Sequence, residues 1–241
     1  MFLGKKIVCI IPARSGSKGL KNKNIAKLLN KPLIYFAIKQ ALASKFIDKI
    51  VFSTDSRNYA NICEKIGLKV NSLRAKKYAL DNSLDIDLFK YEILKLKKKG
   101  FNPDIFVNLR PTSPIRTHLE IDNCLKKLIN NTNADSIRSI CKNNFAIQKN
   151  WFIEGKLLRN VVNKSFNKQE WDMPRQKLEP SYMQTGSIDI GRVNNIMSKN
   201  SMTGNKILPF IQKFNCDIDN QIDLIEAENI AKKSKKLDRY L

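Results

Sequence analysis

The chain has 241 residues, enough to bury one sizeable core without disulfides or a structural metal. Hydrophobic residues make up 42% of it, but no apolar run approaches the roughly 18–20 residues that a membrane helix requires. The opening segment 1–6 lacks the layout of a signal peptide. We therefore expect a cytoplasmic protein that neither spans nor binds a membrane.

The five cysteines are odd in number, scattered, and without a Cys-x-x-Cys pair, which argues against a disulfide framework or a zinc site. Their mostly apolar surroundings are typical of small buried residues in a reducing compartment. They are Cys9, Cys63, Cys124, Cys141 and Cys216.

The net charge of +22 and a pI near 9.8 raise the possibility of nucleic-acid binding through released counterions. Apart from the runs 95–99 and 232–236, however, the lysines are spread along otherwise amphipathic stretches. We interpret them as solvated faces and expect no nucleic-acid partner. A steep salt dependence of binding would identify the alternative.

Short β-branched runs alternate with segments of helical period, a pattern that predicts an α/β fold with a mostly parallel sheet and helices on both faces. The first half begins with a strand closed by Pro12 and a long loop over 12–31, and Thr54-Asp55-Ser56 offers caps for the helix that follows the second strand. The predicted elements there are strands at 7–11, 50–53, 69–73 and 105–109, and helices from 32, over 59–66 and at 86–99.

The second half continues with a predicted helix at 119–129 and a strand at 134–141. Regular alternation then stops between 143 and 182, a stretch that we interpret as an arm or dimerisation insertion within a single domain spanning 1–241. Beyond it we predict strands at 187–190 and 207–211 and helices at 193–199 and 221–235.

The loop after the first strand combines glycines with basic residues. Gly16 and Gly19 allow backbone amides to turn toward an anion, and Arg14, Lys18 and Lys23 can neutralise phosphate oxygens. Gly-x-x-x-x-Gly-Lys-[Ser/Thr] is absent, so this is not a Walker A loop. Ligands of parallel sheets bind at the carboxyl ends of strands, which favours a polyphosphate site over an ordinary basic surface loop.

Two aspartates precede the final predicted helix. On a strand, Asp217 and Asp219 would point to one face and share a hard cation. The alternative is a solvated turn in which Asp219 or Asn220 caps the helix. Asp223 fits a first-turn helix acid. His118, the only histidine, is interpreted as an exposed helix-start residue and not as a general base.

Several segments resemble the acylneuraminate (CMP-sialic acid) cytidylyltransferase family, and the similarity spans nearly the whole chain. The opening run Ile-Pro-Ala-Arg-Ser-Gly-Ser-Lys-Gly over 11–19 carries the resemblance most clearly. The other matching segments are Ser-Thr-Asp at 53–55, Leu-Arg at 73–74, Ala-Leu-Asp at 79–81, Pro-Thr-Ser-Pro-Ile-Arg at 111–116, Met-Pro-Arg-Gln at 173–176 and Asp-Ile-Asp at 217–219.

The resemblance implies a Rossmann-like nucleotidyltransferase, a homodimer that binds CTP and requires Mg²⁺ at Asp217 and Asp219. Arg14, Lys23 and the two aspartates would be catalytic. The implied nucleotide-binding residues are Arg14, Ser15, Gly16, Ser17, Lys18, Gly19, Lys23, Asn24, Arg74 and Asp81. Leu84 and Asp85 replace serines of the family pattern near the cytosine.

The sugar-binding residues implied by the same resemblance are Arg110, Pro111, Thr112, Arg175, Thr185, Gly186 and Asp189. Arg110 stands where the family has Gln, and a guanidinium favours a carboxylate or another acceptor-rich group. Thr185 and Asp189 replace an amide and a phenol, and such changes alter which sugar fits. N-acetylneuraminate, legionaminate, pseudaminate and less common 2-keto-3-deoxy acids all remain candidates.

The expected reaction is attack of the anomeric hydroxyl on the α-phosphorus of CTP, with pyrophosphate as leaving group and no covalent intermediate. Two enzymatic alternatives stay open: another nucleotide, or 3-deoxy-manno-octulosonate as the sugar.

Overall fold

The computed structural model describes residues 1–17, 19–162 and 169–241. Six helices lie in this part of the chain: α1 (Leu33–Ala43), α2 (Arg57–Ile66), α3 (Asp85–Lys98), α4 (His118–Asn130), α5 (Val193–Lys199) and α6 (Gln221–Ser234). The strands are β1 (Ile7–Pro12), β2 (Lys27–Leu28), β3 (Lys31–Pro32), β4 (Lys49–Ser53), β5 (Ile105–Asn108), β6 (Ser136–Lys142), β7 (Trp151–Glu154), β8 (Leu157–Asn160), β9 (Tyr182–Arg192) and β10 (Ile207–Gln212).

Six of these strands form one sheet in the order β10-β6-β9-β5-β1-β4. β1 runs parallel to β4 and β5, and β10 runs parallel to β6. β9 is antiparallel to both of its neighbours, β5 and β6. The predicted α/β fold with a mostly parallel sheet is confirmed, and the carboxyl ends of β1, β4 and β5 share one edge.

Helices cover both faces of the sheet and produce the three expected layers. Buried residues of α1, α2 and α4 pack with Ile7, Cys9 and Ile11 on one face. Side chains of α3 and α5 pack with Val8 and Ile10 on the other. Because successive residues of a strand point to opposite faces, the continuous apolar run of β1 serves both layers.

A third cluster joins α6 to the outside of α1. Leu33 and Phe36 of α1 pack there with Ala227 and Ala231 of α6, and Ile218 is buried among them. α6 begins with a capping box in which Asn220 and Asp223 bond each other's backbone amides. The predicted role of Asp223 as first-turn acid is confirmed, and Asn220, one of the two caps named in the alternative interpretation, caps the helix. This cluster fixes the position of the 217–219 segment.

Three local predictions were wrong. Residues 69–73 form no strand, because the Val70 amide donates to the Glu64 carboxylate at 3.4 Å and not to a neighbouring strand. The long first loop also contains the 3₁₀ turn Lys23–Ile25 and the β2–β3 hairpin. His118 begins α4 as predicted but is half-buried, and its Nδ1 lies 2.8 Å from the Tyr240 hydroxyl.

The arm predicted over 143–182 contains the β7–β8 hairpin, whose strands pair only with each other in the described part of the chain. Ile153 and Leu157 of this hairpin are 80% and 76% exposed. The arm returns to the main sheet where Lys142 pairs with Tyr182. Residues 163–168 of the arm lie outside the described residues.

No described helix is long and apolar enough to cross a membrane.

Gly191 provides a test of the packing around β9. A Cβ at this position would lie 2.7 Å from the Phe106 ring and 2.9 Å from the Met202 carbonyl oxygen. We expect Gly191→Ala to lower the free energy of unfolding in urea by about 1–3 kcal/mol, because overpacking a close contact forces its neighbours apart. A change below about 0.5 kcal/mol, typical of neutral surface substitutions, would contradict the described packing.

Candidate functional site

The loop that follows β1 is anchored to the end of β4. The Ala13 amide donates to the Ser53 carbonyl at 2.9 Å. Ser15 donates twice to Asp55, from its amide at 2.8 Å and from its hydroxyl at 2.6 Å. Burial raises the pKa of Asp55, but the bonds from Ser15 outweigh it and leave the pKa below its ordinary value. Asp55 is therefore an ionised anchor for the loop.

Asp55 was not among the predicted site residues. The sequence placed it in a helix-capping group, whereas in the structure Ser56 caps α2 by accepting from the Tyr59 amide. Its position directly after a strand was the available signal, but pairing with Ser15 depends on two loops that are 40 residues apart.

Further bonds inside the loop hold its curved shape. The buried Asn24 side chain donates to the Arg14 carbonyl at 2.9 Å, and the Lys23 amide donates to Ser17 Oγ at 3.1 Å. Gly16 has φ +75°, a conformation that side-chain-bearing residues rarely adopt. Asn24, predicted to contact phosphate, thus braces the loop. Lys18, predicted for the same site, lies outside the described residues.

The segment 217–219 lies outside any strand, so the strand geometry on which the residue-based argument for the aspartate pair relied is not found. The Ile218 amide donates to the Thr112 carbonyl at 2.9 Å, and the Ile218 side chain is fully buried. Asp217 and Asp219 flank this buried residue, and the Asp219 side chain is 71% exposed. Burial therefore alternates along 217–219, with buried Ile218 between two more accessible aspartates.

The first loop packs directly on this segment. A Cβ on Gly19 would lie 2.5 Å from the Asp219 carbonyl oxygen, so only glycine fits there without a shift. Lys23 Nζ donates to Asp219 Oδ1 at 2.6 Å. Ser113 Oγ lies 3.3 Å from Asp217 Oδ1. Two hard carboxylates beside a basic loop suit Mg²⁺, which proteins commonly bind with one or two carboxylates while substrate phosphates complete the shell.

Arg14 and Arg74 have different surroundings. Arg14 forms an ion pair of 2.7 Å with Asp81, and both side chains are partly exposed. Arg74 is 6% exposed and donates to the Ser53 carbonyl at 2.5 Å and to Ser53 Oγ at 3.2 Å. Burial lowers the pKa of Arg74, against the attraction of nearby carboxylates. The structure therefore places Arg74 as a brace behind the first loop.

Arg110, Pro111 and Thr112 follow β5 and line the same edge of the sheet. Arg110 donates to Asp85 at 2.6 Å. Burial lowers the pKa of Arg110, but the charges of Asp85, Asp189 and Asp217 together raise it above its ordinary value. Pro111 is buried, and the carbonyl of Thr112 holds the 217–219 segment as described.

Arg116 was quoted in the sequence motif without a role. It is completely buried, and its NH1 group donates to carbonyls of Arg110, Ser113 and Ser187. Burial lowers its pKa to about 10, which leaves it charged at neutral pH. The guanidinium ties the turn after β5 to β9, and the sequence offered no signal for this contact.

The three predicted residues of β9 are all buried, but they have different contacts. Thr185 is 1% exposed, and its hydroxyl bonds Ser139 and Gln212. Gly186 has φ +64°, and a Cβ there would lie 3.6 Å from Arg110 NH1. Asp189 accepts from Arg138 Nε at 3.0 Å. Gly186 and Asp189 thus lie at the Arg110 side of the site, whereas the Thr185 hydroxyl faces the interior.

Arg175 lies in the arm, away from these contacts. It is exposed and lines a pocket of about 440 Å³ together with Lys142, Asn143 and Glu179. Within the described part of the chain, no recorded bond joins Arg175 to Arg110 or to the 217–219 segment. The structure therefore separates Arg175 from the predicted site residues that it brings together.

A basic loop and two carboxylates lie together at the carboxyl ends of the parallel strands. This arrangement is typical of nucleotide-binding α/β proteins. Residues 8–239 match the family described as cytidylyltransferase, and the chain belongs to that family. It is 29% identical over 239 residues to the N-acylneuraminate cytidylyltransferase of Escherichia coli O18:K1:H7 (strain RS218 / NMEC), covering 98% of this chain and 55% of that protein.

Two other relatives are of similar length to this chain. CMP-N,N'-diacetyllegionaminic acid synthase of Legionella pneumophila is 29% identical over 228 residues, covering 93% of this chain and 96% of that protein. Post-translational flagellin modification protein B of Campylobacter coli is 30% identical over 233 residues, covering 94% and 95%. Other curated relatives are longer, and the chain spans between 35% and 55% of their length.

Solved structures agree with the fold. CMP:2-keto-3-deoxy-manno-octonic acid synthetase complexed with CTP superimposes with a TM-score of 0.68 at 14% identity, covering 95% of this chain and 99% of that one. A 4-diphosphocytidyl-2C-methyl-D-erythritol synthase from Anaerococcus prevotii gives a TM-score of 0.57 at 13% identity, with coverage of 95% and 99%. At these identities the likeness supports the architecture alone.

Asp55→Ala tests the anchor of the first loop. Without the carboxylate, the Ser15 amide loses its acceptor, and we expect its hydrogen exchange at neutral pH to accelerate by at least about tenfold, as for a bond to a charged group. Because the folded pKa is lowered, the wild-type anchor is complete above the ordinary aspartate pKa and is lost only as pH falls through the lowered value.

Asp122→Ala is the matched control, because Asp122 holds Ser44 and the Lys45 amide elsewhere in the same way. It should accelerate exchange at Lys45 and leave Ser15 unchanged. Unchanged exchange at Ser15 in Asp55→Ala would show that the anchor is dispensable.

Proposed function

We propose that this chain transfers CMP from CTP to the anomeric hydroxyl of a 2-keto-3-deoxy acid sugar and releases pyrophosphate. The observation that supports this proposal most strongly is the packing of the glycine-containing basic loop on the Asp217–Asp219 segment, through Gly19 and Lys23. This contact brings phosphate-binding and metal-binding groups into one crevice. Membership of the cytidylyltransferase family gives CTP as the nucleotide.

In this proposal the first loop receives the triphosphate. Backbone amides near Gly16 and Gly19 donate hydrogen bonds to phosphate oxygens. Arg14 and Lys23 offset the negative charge that develops on the leaving pyrophosphate. Lys18 would join them. Asn24 and Arg74 contribute indirectly, because their polar groups hold the loop and its neighbouring strand in place.

Asp217 and Asp219 are proposed to hold Mg²⁺. When bound, the ion would neutralise phosphate charge and help to align the reacting groups. Their flanking arrangement around buried Ile218 and the hydrogen-bonding distance to Ser113 support this assignment. Lys23 already donates to Asp219, and its ammonium group has further N–H donors for a phosphate oxygen.

The proposed step is a direct displacement at the α-phosphorus. A bond forms between the anomeric oxygen and the α-phosphorus, the bond to the bridging oxygen of the β-phosphate breaks, and the hydroxyl proton is released. The protein contributes position and electrostatic stabilisation and supplies no nucleophile. All five cysteine thiols fit this view, since burial raises the pKa of Cys9, Cys63, Cys124 and Cys216 to about 12 and raises that of Cys141.

The sugar acid is proposed to lie beside Arg110, Gly186 and Asp189. Arg175 and Lys142 line a separate basic pocket in the arm and would have to approach from there, or from a partner subunit, to meet a carboxylate. The named relatives act on N-acylneuraminate and diacetyllegionaminate, which supports an acid sugar of this kind. Octulosonate stays the alternative sugar named in the sequence analysis, because the solved octonic acid synthetase supports the shared fold alone.

A homodimer is proposed through the arm. Apolar residues of the β7–β8 hairpin and its surroundings are exposed, and exposed apolar patches of this kind mark interaction surfaces. They include Phe145, Phe152, Ile153, Leu157 and Leu158. A cytoplasmic location also remains a proposal, supported by scattered cysteines that are mostly buried as thiols.

Pyrophosphate release from CTP and Mg²⁺ across a panel of 2-keto acid sugars tests the reaction. We expect one sugar to drive turnover and the double variant Asp217→Ala, Asp219→Ala to lower kcat by at least about a thousandfold, equivalent to about 4 kcal/mol of transition-state stabilisation. UTP, ATP and GTP serve as competing nucleotides.

The control for the lost charges is Glu228→Gln with Asp238→Asn, two exposed acids outside the crevice. It should retain activity. Failure of every sugar in the panel to consume CTP would contradict the proposed function, and full activity in the double alanine variant would contradict the metal site.

Light scattering tests the dimer. We expect wild-type protein to have twice the chain mass of 27.7 kDa and Ile153→Asp with Leu157→Asp to shift it toward one chain, because buried unpaired charge disfavours association. Ile222→Asp with Ile225→Asp, on the exposed side of α6, is the matched control and should stay dimeric. A wild-type monomer would rule out this assembly.

A further inference from the structure

The segment 79–85, which we call the strap, is tied to both sides of the crevice by ion pairs. Asp81 pairs with Arg14 of the first loop at 2.7 Å. Four residues further on, Asp85 pairs with Arg110 after β5 at 2.6 Å. The strap therefore connects the proposed triphosphate side of the site to the proposed sugar side.

Both pairs are accessible to water. The side chains of Arg14 and Asp81 are 34% and 46% exposed, and those of Arg110 and Asp85 are 33% and 42% exposed. Ion pairs of this kind are weak, typically 0–1 kcal/mol, because water and salt screen them. A ligand with several anionic oxygens can therefore replace either carboxylate on its arginine.

The two arginines are held elsewhere by their backbones. The Arg14 carbonyl accepts from Asn24, and the Arg110 carbonyl accepts from buried Arg116. Neither backbone contact depends on the strap. Loss of one strap carboxylate would thus remove the anion paired with one arginine and leave that guanidinium at the crevice.

We propose that Asp81 and Asp85 are resident anions, positioning residues that hold Arg14 and Arg110 in the empty crevice and are displaced by the triphosphate and by the sugar acid respectively. This inference rests on the proposed function for the identity of the two ligands. Each substrate exchanges partners with one end of the strap. Binding at either side therefore breaks the ion pair at that end of the strap.

Removal of a resident anion should strengthen binding of the ligand that competes with it. We expect Asp81→Asn to bind inorganic tripolyphosphate about two- to fivefold more tightly than wild type, the range that corresponds to an exposed ion pair of up to about 1 kcal/mol. Asp85→Asn should leave tripolyphosphate affinity unchanged and lower KM for the sugar acid by a similar factor. Calorimetry and steady-state kinetics at constant ionic strength give the two measurements.

Glu154→Gln is the matched control, because Glu154 pairs with Arg159 on the exposed arm hairpin and its loss makes the same change in net charge. Its tripolyphosphate affinity gives the effect of one extra positive charge alone. An Asp81→Asn affinity equal to that of Glu154→Gln, or weaker than wild type, would overturn the proposal. So would equal effects of Asp81→Asn and Asp85→Asn on both ligands.

The proposal and the function on which it rests fail differently. If wild-type protein binds tripolyphosphate and the strap variants show no selective tightening, the resident-anion assignment fails while the phosphate site stands. If wild-type protein binds neither tripolyphosphate nor CTP, the proposed function fails. Thermal unfolding of each variant confirms that both strap substitutions leave the protein folded, as expected for exposed pairs.

Discussion

The crevice depends on one constraint, the position of the loop between Gly16 and Lys23. Asp55 holds its beginning through two bonds to Ser15, and the Asp219 backbone lies against Gly19 at its far side. A loop with several positive charges would otherwise be held open by repulsion and by its own conformational entropy. Because it is fastened on both sides, Lys23 of the loop meets Asp219 within the folded chain, and such preorganisation is what electrostatic catalysis requires.

Charge in the crevice is balanced locally although the chain carries a net charge of +22. Arg14, Lys23 and Arg110 each have a carboxylate within 2.7 Å. Binding of anionic substrates is therefore an exchange of partners and not the neutralisation of bare cations. Such exchange lowers the affinity for anionic substrates relative to a site with unpaired cations. The ion pairs keep the cations oriented, however, and disfavour binding of unrelated polyanions.

The sequence predicted the layers and most strands and helices, because these follow from periodicity and from the geometry of parallel strands. The meeting of the first loop with the aspartate pair was implied by the family resemblance. The sequence failed at 69–73, where a short strand was predicted but no described strand pairs with the segment. It also missed Asp55, Arg116 and the strap pairs. Those contacts join residues far apart in the chain, and any of the many lysines and arginines would have satisfied the same charge rules.

A crystal structure of the protein with CTP and Mn²⁺ tests the central claim most directly, because anomalous scattering locates the metal independently of the nucleotide. The account predicts a triphosphate along the loop 14–24 and a manganese peak in contact with Asp217 and Asp219. A nucleotide bound elsewhere on the sheet, or a metal peak that touches neither aspartate, would contradict it.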